Sequence, residues 1–480
     1  MLMRFLSSYS TFFLAVFQLL NILVFAVVLL RRDHPTFKLS WLIVIMIFPL
    51  VGGAIYLFCV SSVRRNLLAN RNGQPFSPVL YTITAGEDAS RDLAARSLAS
   101  SKIAEAVKTM STYPVFEHTA ASYFESGEAW FPTLLEKLGN AEKFIFMEYF
   151  LVEPGKMFDP IMEILTAKAQ KGVEVRFMFD DLGCLTVLPG KVLKKMVAAG
   201  IKLCCFNPVK PQLNAAYNYR DHRKICVIDA EFAFCGGLNL ADEYINVYSK
   251  LGYWKDSAVM LEGSAVDSFC EMFLSMWDFV FAAESDHSAY LTAAPVATDG
   301  FVQPFTDLPA SRNNVTETAY RNIFGRANDY IYITTPYLII HDAMIDTLIL
   351  AAKSGVDVRI ITPAIGDKWY VHGVTRSNYA TLLEGGVRIF EFTPGFVHAK
   401  MLVCDDSIAL VGTTNMDFRT FYLHCECACL FYHSSVVGEV KRDIDGVLEQ
   451  SHEITLEHVK KTPWYERVFY LILRLFSPLM

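Results

Sequence analysis

The chain has 480 residues, room for about two to four domains with full apolar cores. Hydrophobic residues make up 53% and charged residues 19%, below the roughly 25% usual in soluble globular chains, with a mean hydropathy of +0.29. General disorder is excluded, and a net charge of −7 from 43 Lys and Arg against 50 Asp and Glu argues against a general nucleic-acid binder.

Residues 5–30 and 39–63 hold no charged side chain, so each exceeds the roughly 20 residues a helix needs to cross about 30 Å of hydrocarbon. Both are expected as transmembrane helices, joined by the short linker 31–38 into a hairpin over residues 1–66. A cleaved signal peptide fits less well, because its apolar core is only about 7–15 residues and no second span follows it at once. Pro49, Gly52 and Gly53 predict a kink or a close helix contact. Arg31, Arg32 and Lys38 in the linker nearly balance Arg4, Arg64, Arg65 and Arg71, so charge scarcely orients the hairpin. Cysteine usage does. Eleven thiols without a Cys-x-x-Cys pair, mostly inside apolar runs, suit core packing in a reducing compartment, hence a cell-membrane protein with a cytoplasmic body. Cys425, Cys427 and Cys429, at period two, fall on one strand face.

Beyond a polar linker, 67–107, the chain repeats itself. Lys-Gly-Val-Glu-Val-Arg around Gly172 returns as Ser-Gly-Val-Asp-Val-Arg around Gly355, and Ala-Gly-Ile-Lys-Leu at Gly200 as Gly-Gly-Val-Arg-Ile at Gly386. Each reads as a helix end, a glycine stop and a buried strand. His222-x-Lys224 with Asp229 then matches His398-x-Lys400 with Asp405, followed by Gly236-Gly-Leu-Asn239 and Gly412-Thr-Thr-Asn415. The expected fold is α/β: two homologous halves, 108–285 and 312–450, each a mixed sheet flanked by helices, related by a pseudo-twofold axis and joined by a linker, 286–311. Residues 451–480 form a C-terminal amphipathic helix whose aromatics, with Arg467 and Arg474, suit either a membrane interface or docking on the core.

The residues after each His are β-formers, so His-x-Lys is expected on a strand with both side chains on one face. A lysine beside an imidazole suits a phosphate: the ammonium holds nonbridging oxygens and the ring supplies a nucleophile or a proton. Lysine is a poor metal ligand and neither His has a second His or a Cys at ligand spacing, so no metal or other cofactor is expected. Asn239 and Asn415 could add amide donors, and Asp256 or Glu426 could accept the second ring N–H of a histidine. Asp229 and Asp405, an odd seven residues past their histidines, are directed to the other strand face, where they fix the following turn. Tyr149-Phe150 and Thr335-Pro-Tyr337 shape the pocket or pack the core, and Arg220 and Arg223 meet lipid phosphate or form structural ion pairs.

Two His-x-Lys-x4-Asp motifs, with Tyr219-Arg-Asp-His222, Gly395-Phe-Val-His398 and Asn415-Met-Asp-Phe-Arg-Thr420, resemble the phospholipase D superfamily and, within it, the cardiolipin synthases. The resemblance covers nearly the whole chain. It implies a catalytic set of His222, Lys224, Asp229, His398, Lys400 and Asp405, phosphate binding by Lys224, Asn239, Lys400 and Asn415, and Asp256 and Glu426 orienting the histidines. It further implies an integral membrane phosphatidyltransferase that joins two phosphatidylglycerols through a phosphatidyl-histidine, with membrane phospholipids rather than nucleic acid as partners. Water or another alcohol as acceptor is the competing outcome at the same site. The chain departs from the family pattern at Gly237 and Thr413, where serine is common, and at His424, where asparagine often precedes the acid.

Overall fold

The computed structural model describes residues 2–31, 35–48, 51–57, 87–209, 218–248, 250–309 and 314–475. The duplicated sequence builds two large sheets. The first runs Thr119–Phe124, Ala258–Gly263, Phe232–Gly236, Lys224–Ile228, Phe144–Tyr149, Glu174–Asp180, Lys202–Phe206. The second runs Phe301–Asp307, His424–Tyr432, Ile408–Gly412, Met401–Cys404, Tyr330–Thr334, Asp357–Pro363, Arg388–Phe392, Ser451–Ile454. Place for place the orders coincide, with Ser451–Ile454 as an added edge. In each sheet three neighbouring strands are parallel and the others antiparallel, the mixed pattern expected.

The strand sequences are apolar without alternation because both faces are covered: all six residues of Phe144–Tyr149 and all five of Tyr330–Thr334 are buried. The four repeat glycines carry φ of +92° at Gly172, +90° at Gly200, +99° at Gly355 and +95° at Gly386, the left-handed turn that ends a helix and sends the chain into the next parallel strand. Between the sheets lies the helix Val266–Phe281, with Phe269, Met272, Phe273 and Leu274 fully buried. One continuous cluster of buried side chains runs from Phe146 and Val259 through Phe273 to Leu402 and Cys427. The halves therefore share a core, and truncating Phe273 to Ala would cost about 3–5 kcal/mol.

The segments between and beyond the two halves carry elements of their own. Phe301–Asp307, expected in the inter-domain linker, pairs along its length with His424–Tyr432. Pro304 disguises it, yet this is an edge strand, where a missing N–H is tolerated. Ser451–Ile454, expected in the terminal helix, is polar because it closes the exposed edge beside Arg388–Phe392. Helices Glu87–Arg96 and Leu98–Ser111 occupy much of the expected linker, whose residues 67–86 lie outside the described residues.

At the N-terminus the helix Leu2–Leu30 contains one segment, Phe12–Leu30, long and apolar enough to cross a membrane. Pro35–Ile47 packs on it, Val24 and Val28 meeting Trp41, Ile45 and Tyr56, while the Gly53 N–H donates to Asn21 Oδ1 at 2.7 Å. The expected second span is not one continuous helix among the described residues: it stops at Ile47 and resumes over 52–57. The sequence between holds Pro49, which lacks the N–H a helix interior needs. Pro49, Cys59 and residues 58–63, with Arg32, Arg64, Arg65 and Arg71, lie outside the described residues. The terminal helix Trp464–Leu475 docks by stacking Phe469 on Trp369, centroids 5.9 Å apart, and by Arg474 reaching Asp342 at 3.2 Å; Trp464, Tyr465, Leu471 and Ile472 stay exposed. The ten described cysteines are free thiols, nine of them buried, including Cys425, Cys427 and Cys429 on one strand.

Candidate active site

Each motif histidine sits in the break just before its motif strand rather than on it. Arg220–Asp221 pairs in parallel with His424–Cys425 of the other half, and the next N–H, of His222, donates to the Cys425 carbonyl at 3.0 Å. Gly395–Val397 pairs in parallel with Tyr253–Lys255, and the His398 N–H donates to the Lys255 carbonyl at 2.7 Å. Each histidine is thus hung on the residue that precedes the other half's acid.

The side chains follow that lead. His222 Nδ1 lies 2.9 and 3.1 Å from the two carboxylate oxygens of Glu426, and His398 Nδ1 lies 2.6 Å from Asp256 Oδ2. All four residues are buried, the acids completely. A carboxylate at Nδ1 fixes the proton there and leaves Nε2 with its lone pair. Lys224 Nζ donates to the His222 carbonyl at 2.5 Å; Lys400 Nζ donates to the His398 carbonyl and lies 2.8 Å from His398 Nδ1.

Burial and crowding of cations set the electrostatics. His222 is held well below the ordinary histidine range by burial and by Lys224, Lys400 and His398; His398 is pushed down to about 4 by burial and Lys400. Burial lowers Lys224 to about 8 and Lys400 to about 7. Burial works against ionisation of Asp256, yet His398 and Lys400 bring its carboxyl below the usual range. Because charges of one half act on the histidine of the other, the two motifs form one electrostatic site. An incoming phosphodiester anion would be met by two ammonium groups whose charge it stabilises.

Not every expected residue joins them. Asp229 accepts the N–H groups of Glu142, Lys143 and Phe144 at 2.6–2.7 Å, and Asp405 those of Asn328, Asp329 and Tyr330 at 2.7–2.9 Å. Both sit at left-handed φ, 56° and 51°, at the far end of the motif strand, roughly 16 Å from the motif lysine. In these positions the two carboxylates anchor the sheet. Asn239 is committed to the Leu151 N–H at 3.2 Å and, through Nδ2, to Tyr244 Oη at 2.6 Å, whereas buried Asn415 Oδ1 has no hydrogen-bond partner. Arg223 is buried in ion pairs with Glu148 and Asp221, and Arg220 pairs with Asp180 at 3.2 Å, so these arginines are structural. Phe150 stands edge-on to the His222 ring at 5.2 Å, while Tyr337 donates to Asp367 at 2.7 Å.

A model described as cardiolipin synthase, phospholipase D-like domain, matches residues 134–277 and 320–448, and a phospholipase D-nuclease N-terminal model matches 19–59. The chain belongs to this cardiolipin synthase, phospholipase D-like family. It is 39% identical over 454 residues to an uncharacterised protein of Streptococcus mutans serotype c, covering 92% of this chain and 96% of that one. It is 32% identical over 472 residues to a cardiolipin synthase of Alkalihalophilus pseudofirmus, covering 97% of this chain and 93% of that one. A crystal structure of phosphatidylserine synthase from Haemophilus influenzae matches with TM-score 0.60 at 14% identity, over 79% of this chain and all of that one, which is a likeness of fold.

Within the family frame, sequence reasoning missed the walls of the site. Trp254 and Tyr244 lie against the His398 ring at 5.1 and 5.5 Å, and Phe396 at 6.1 Å. Trp254 and Phe396, two residues from Asp256 and His398, were the available signal. Thr413 donates to Glu426, so the residue standing where serine is common still supplies a hydroxyl. At Gly237 a Cβ would collide with Asp256 Oδ1, so the first half has no room for one.

Proposed function

We propose that this chain is a cardiolipin synthase, transferring a phosphatidyl group from one phosphatidylglycerol to another with release of glycerol. The observation that carries this reading is the crossed pair of His–carboxylate dyads, His222–Glu426 and His398–Asp256, with a lysine folded beside each. One such dyad can attack phosphorus while the other moves protons.

His222 Nε2 attacks the phosphorus of the first lipid. The bond to the headgroup glycerol breaks, and His398 gives the leaving oxygen its proton. Burial and Lys400 push His398 down to about 4; a phosphodiester anion beside Lys400 and Lys224 opposes that shift, so proton uptake accompanies substrate binding. His398 then removes the proton from a hydroxyl of the second phosphatidylglycerol. That oxygen attacks phosphorus, the P–N bond breaks, and His222 is regenerated. Lys224 and Lys400, with the amides of Asn239 and Asn415, neutralise the equatorial oxygens. One phosphodiester replaces another, so the step needs no nucleotide.

The reciprocal hanging of the two histidines supports a pseudo-twofold relation between the halves, with the site on the axis. The Phe12–Leu30 helix, its packing on Pro35–Ile47 and the exposed face of Trp464–Leu475 support a two-span hairpin that keeps the site at the membrane surface. Free thiols support a cytoplasmic body. Purified protein given pure phosphatidylglycerol is expected to yield cardiolipin and glycerol by lipid mass spectrometry. Phosphatidic acid without cardiolipin would assign the site to hydrolysis instead.

A further inference from the structure

His424 holds in the second half the place Trp254 holds in the first. Each stands two residues before the acid, and each ring tilts against the opposing histidine: His424 on His222 at 5.4 Å and 42°, Trp254 on His398 at 5.1 Å and 41°. An indole at this place is a wall. An imidazole is a ligand.

His424 Nδ1 lies 3.5 Å from Glu426 Oε1, and His222 Nδ1 lies 2.9 Å from the same oxygen. One nitrogen from each ring and one carboxylate oxygen all fall within 4.8 Å of one another. Both ring nitrogens of His424 are buried; Nε2 has no hydrogen-bond partner and Nδ1 has only the 3.5 Å approach to Glu426, a shortfall tryptophan would largely avoid. A tetrahedral ion with bonds of about 2.0–2.2 Å sets its ligand atoms about 3.4 Å apart, between the 2.9 and 3.5 Å that separate Glu426 Oε1 from the two rings. Two imidazoles and a carboxylate suit a borderline divalent ion such as Zn2+, with a fourth position left open, and exclude hard ions such as Mg2+, which prefer all-oxygen shells. The sequence concealed this arrangement because the second histidine comes from the other half.

We propose that His222, His424 and Glu426 form an inhibitory Zn2+ site. The ion binds the neutral ring of His222 at Nδ1 in the tautomer that carries its proton on Nε2, so the ring proton changes nitrogen rather than being lost, and Zn–N and Zn–O bonds form without change of oxidation state. Nε2, now protonated, has no lone pair to attack phosphorus, so the metal switches transfer off. The inhibition rests on the reading of His222 as nucleophile; the binding site does not.

The test uses the full chain purified in detergent and stripped with chelator. Zn2+ binding is measured calorimetrically without lipid, and transfer is measured on phosphatidylglycerol micelles across a Zn2+ series. His424→Asn, with His424→Gln as a second variant, should weaken both Zn2+ binding and Zn2+ inhibition about 10-fold or more, the inhibition being read against each variant's own metal-free rate. Chelator should restore the wild-type rate, and Mg2+ should leave it unchanged. Equal Zn2+ affinity in wild type and both variants, or no binding by the wild type, overturns the site. Loss of binding in the variants alongside a protein that makes no cardiolipin would keep the site and overturn the proposed function.

Discussion

His222 and His398 are held by the same backbone device yet live in different surroundings. Glu426 reaches His222 with its carboxylate steadied by the Thr413 hydroxyl; Asp256, one methylene shorter, reaches His398 with its carboxylate lying over Gly237, where no side chain fits. Chain length of the acid and bulk of the neighbour change together, so both dyads close. Around them the contrast is sharper. His398 is walled by Tyr244, Trp254 and Phe396, whereas His222 faces Phe150 and a second imidazole, His424. Duplication gave two equivalent frames, and single side chains gave one histidine an aromatic wall and the other an imidazole neighbour.

The largest effects should come from removing either ring: His222→Ala and His398→Ala should each lower kcat by about 10^4-fold or more in a transfer assay, with folding intact by circular dichroism. Near-equal residual activity in one variant would break the claim that both halves are needed. Next come the orienting acids. Glu426→Gln and Asp256→Asn should cost about 10^2–10^4-fold, the first slowing formation of the phosphatidyl-enzyme and the second chiefly its transfer to the acceptor hydroxyl, separable by rapid quench. Gly237→Ser, which thrusts a Cβ into Asp256, should cost about 10^2-fold by displacing the carboxylate, whereas Thr413→Ser should be almost silent.

The pH profile sharpens the electrostatic side. With Lys400 lowered to about 7 and Lys224 to about 8, both lose their proton as pH rises, so kcat/KM, which reports the free enzyme, should fall across that interval. An alkaline limb above pH 10 would contradict the burial of these ammonium groups. The smallest effect on chemistry belongs to the motif aspartates: Asp229→Ala and Asp405→Ala should lower stability by about 1–3 kcal/mol in denaturant melts while the remaining folded enzyme turns over normally.

Much of this was legible in the sequence for a physical reason. Glycine stops before buried strands and two His-x-Lys pairs recur because both halves need the same turns and the same phosphate chemistry, so Gly172, Gly355, His222 and His398 announced themselves. The crossing of the dyads did not, since a repeat says which residues are equivalent and not which face one another. Only the pairing of 220–221 with 424–425, and of 395–397 with 253–255, brings Glu426 to His222 and Asp256 to His398. The same holds for His424, whose spacing from His222 along the chain hides their contact, and for Phe301–Asp307, whose proline masks an edge strand.

The central claim, one site built crosswise with His222 attacking phosphorus, is tested most directly by trapping the intermediate. Asp256→Asn enzyme mixed with labelled phosphatidylglycerol, quenched within the first turnover and digested for mass spectrometry, should carry the phosphatidyl group on the peptide containing His222. Label on the His398 peptide would reverse the roles of the halves, and turnover to cardiolipin with neither histidine ever modified would contradict the account.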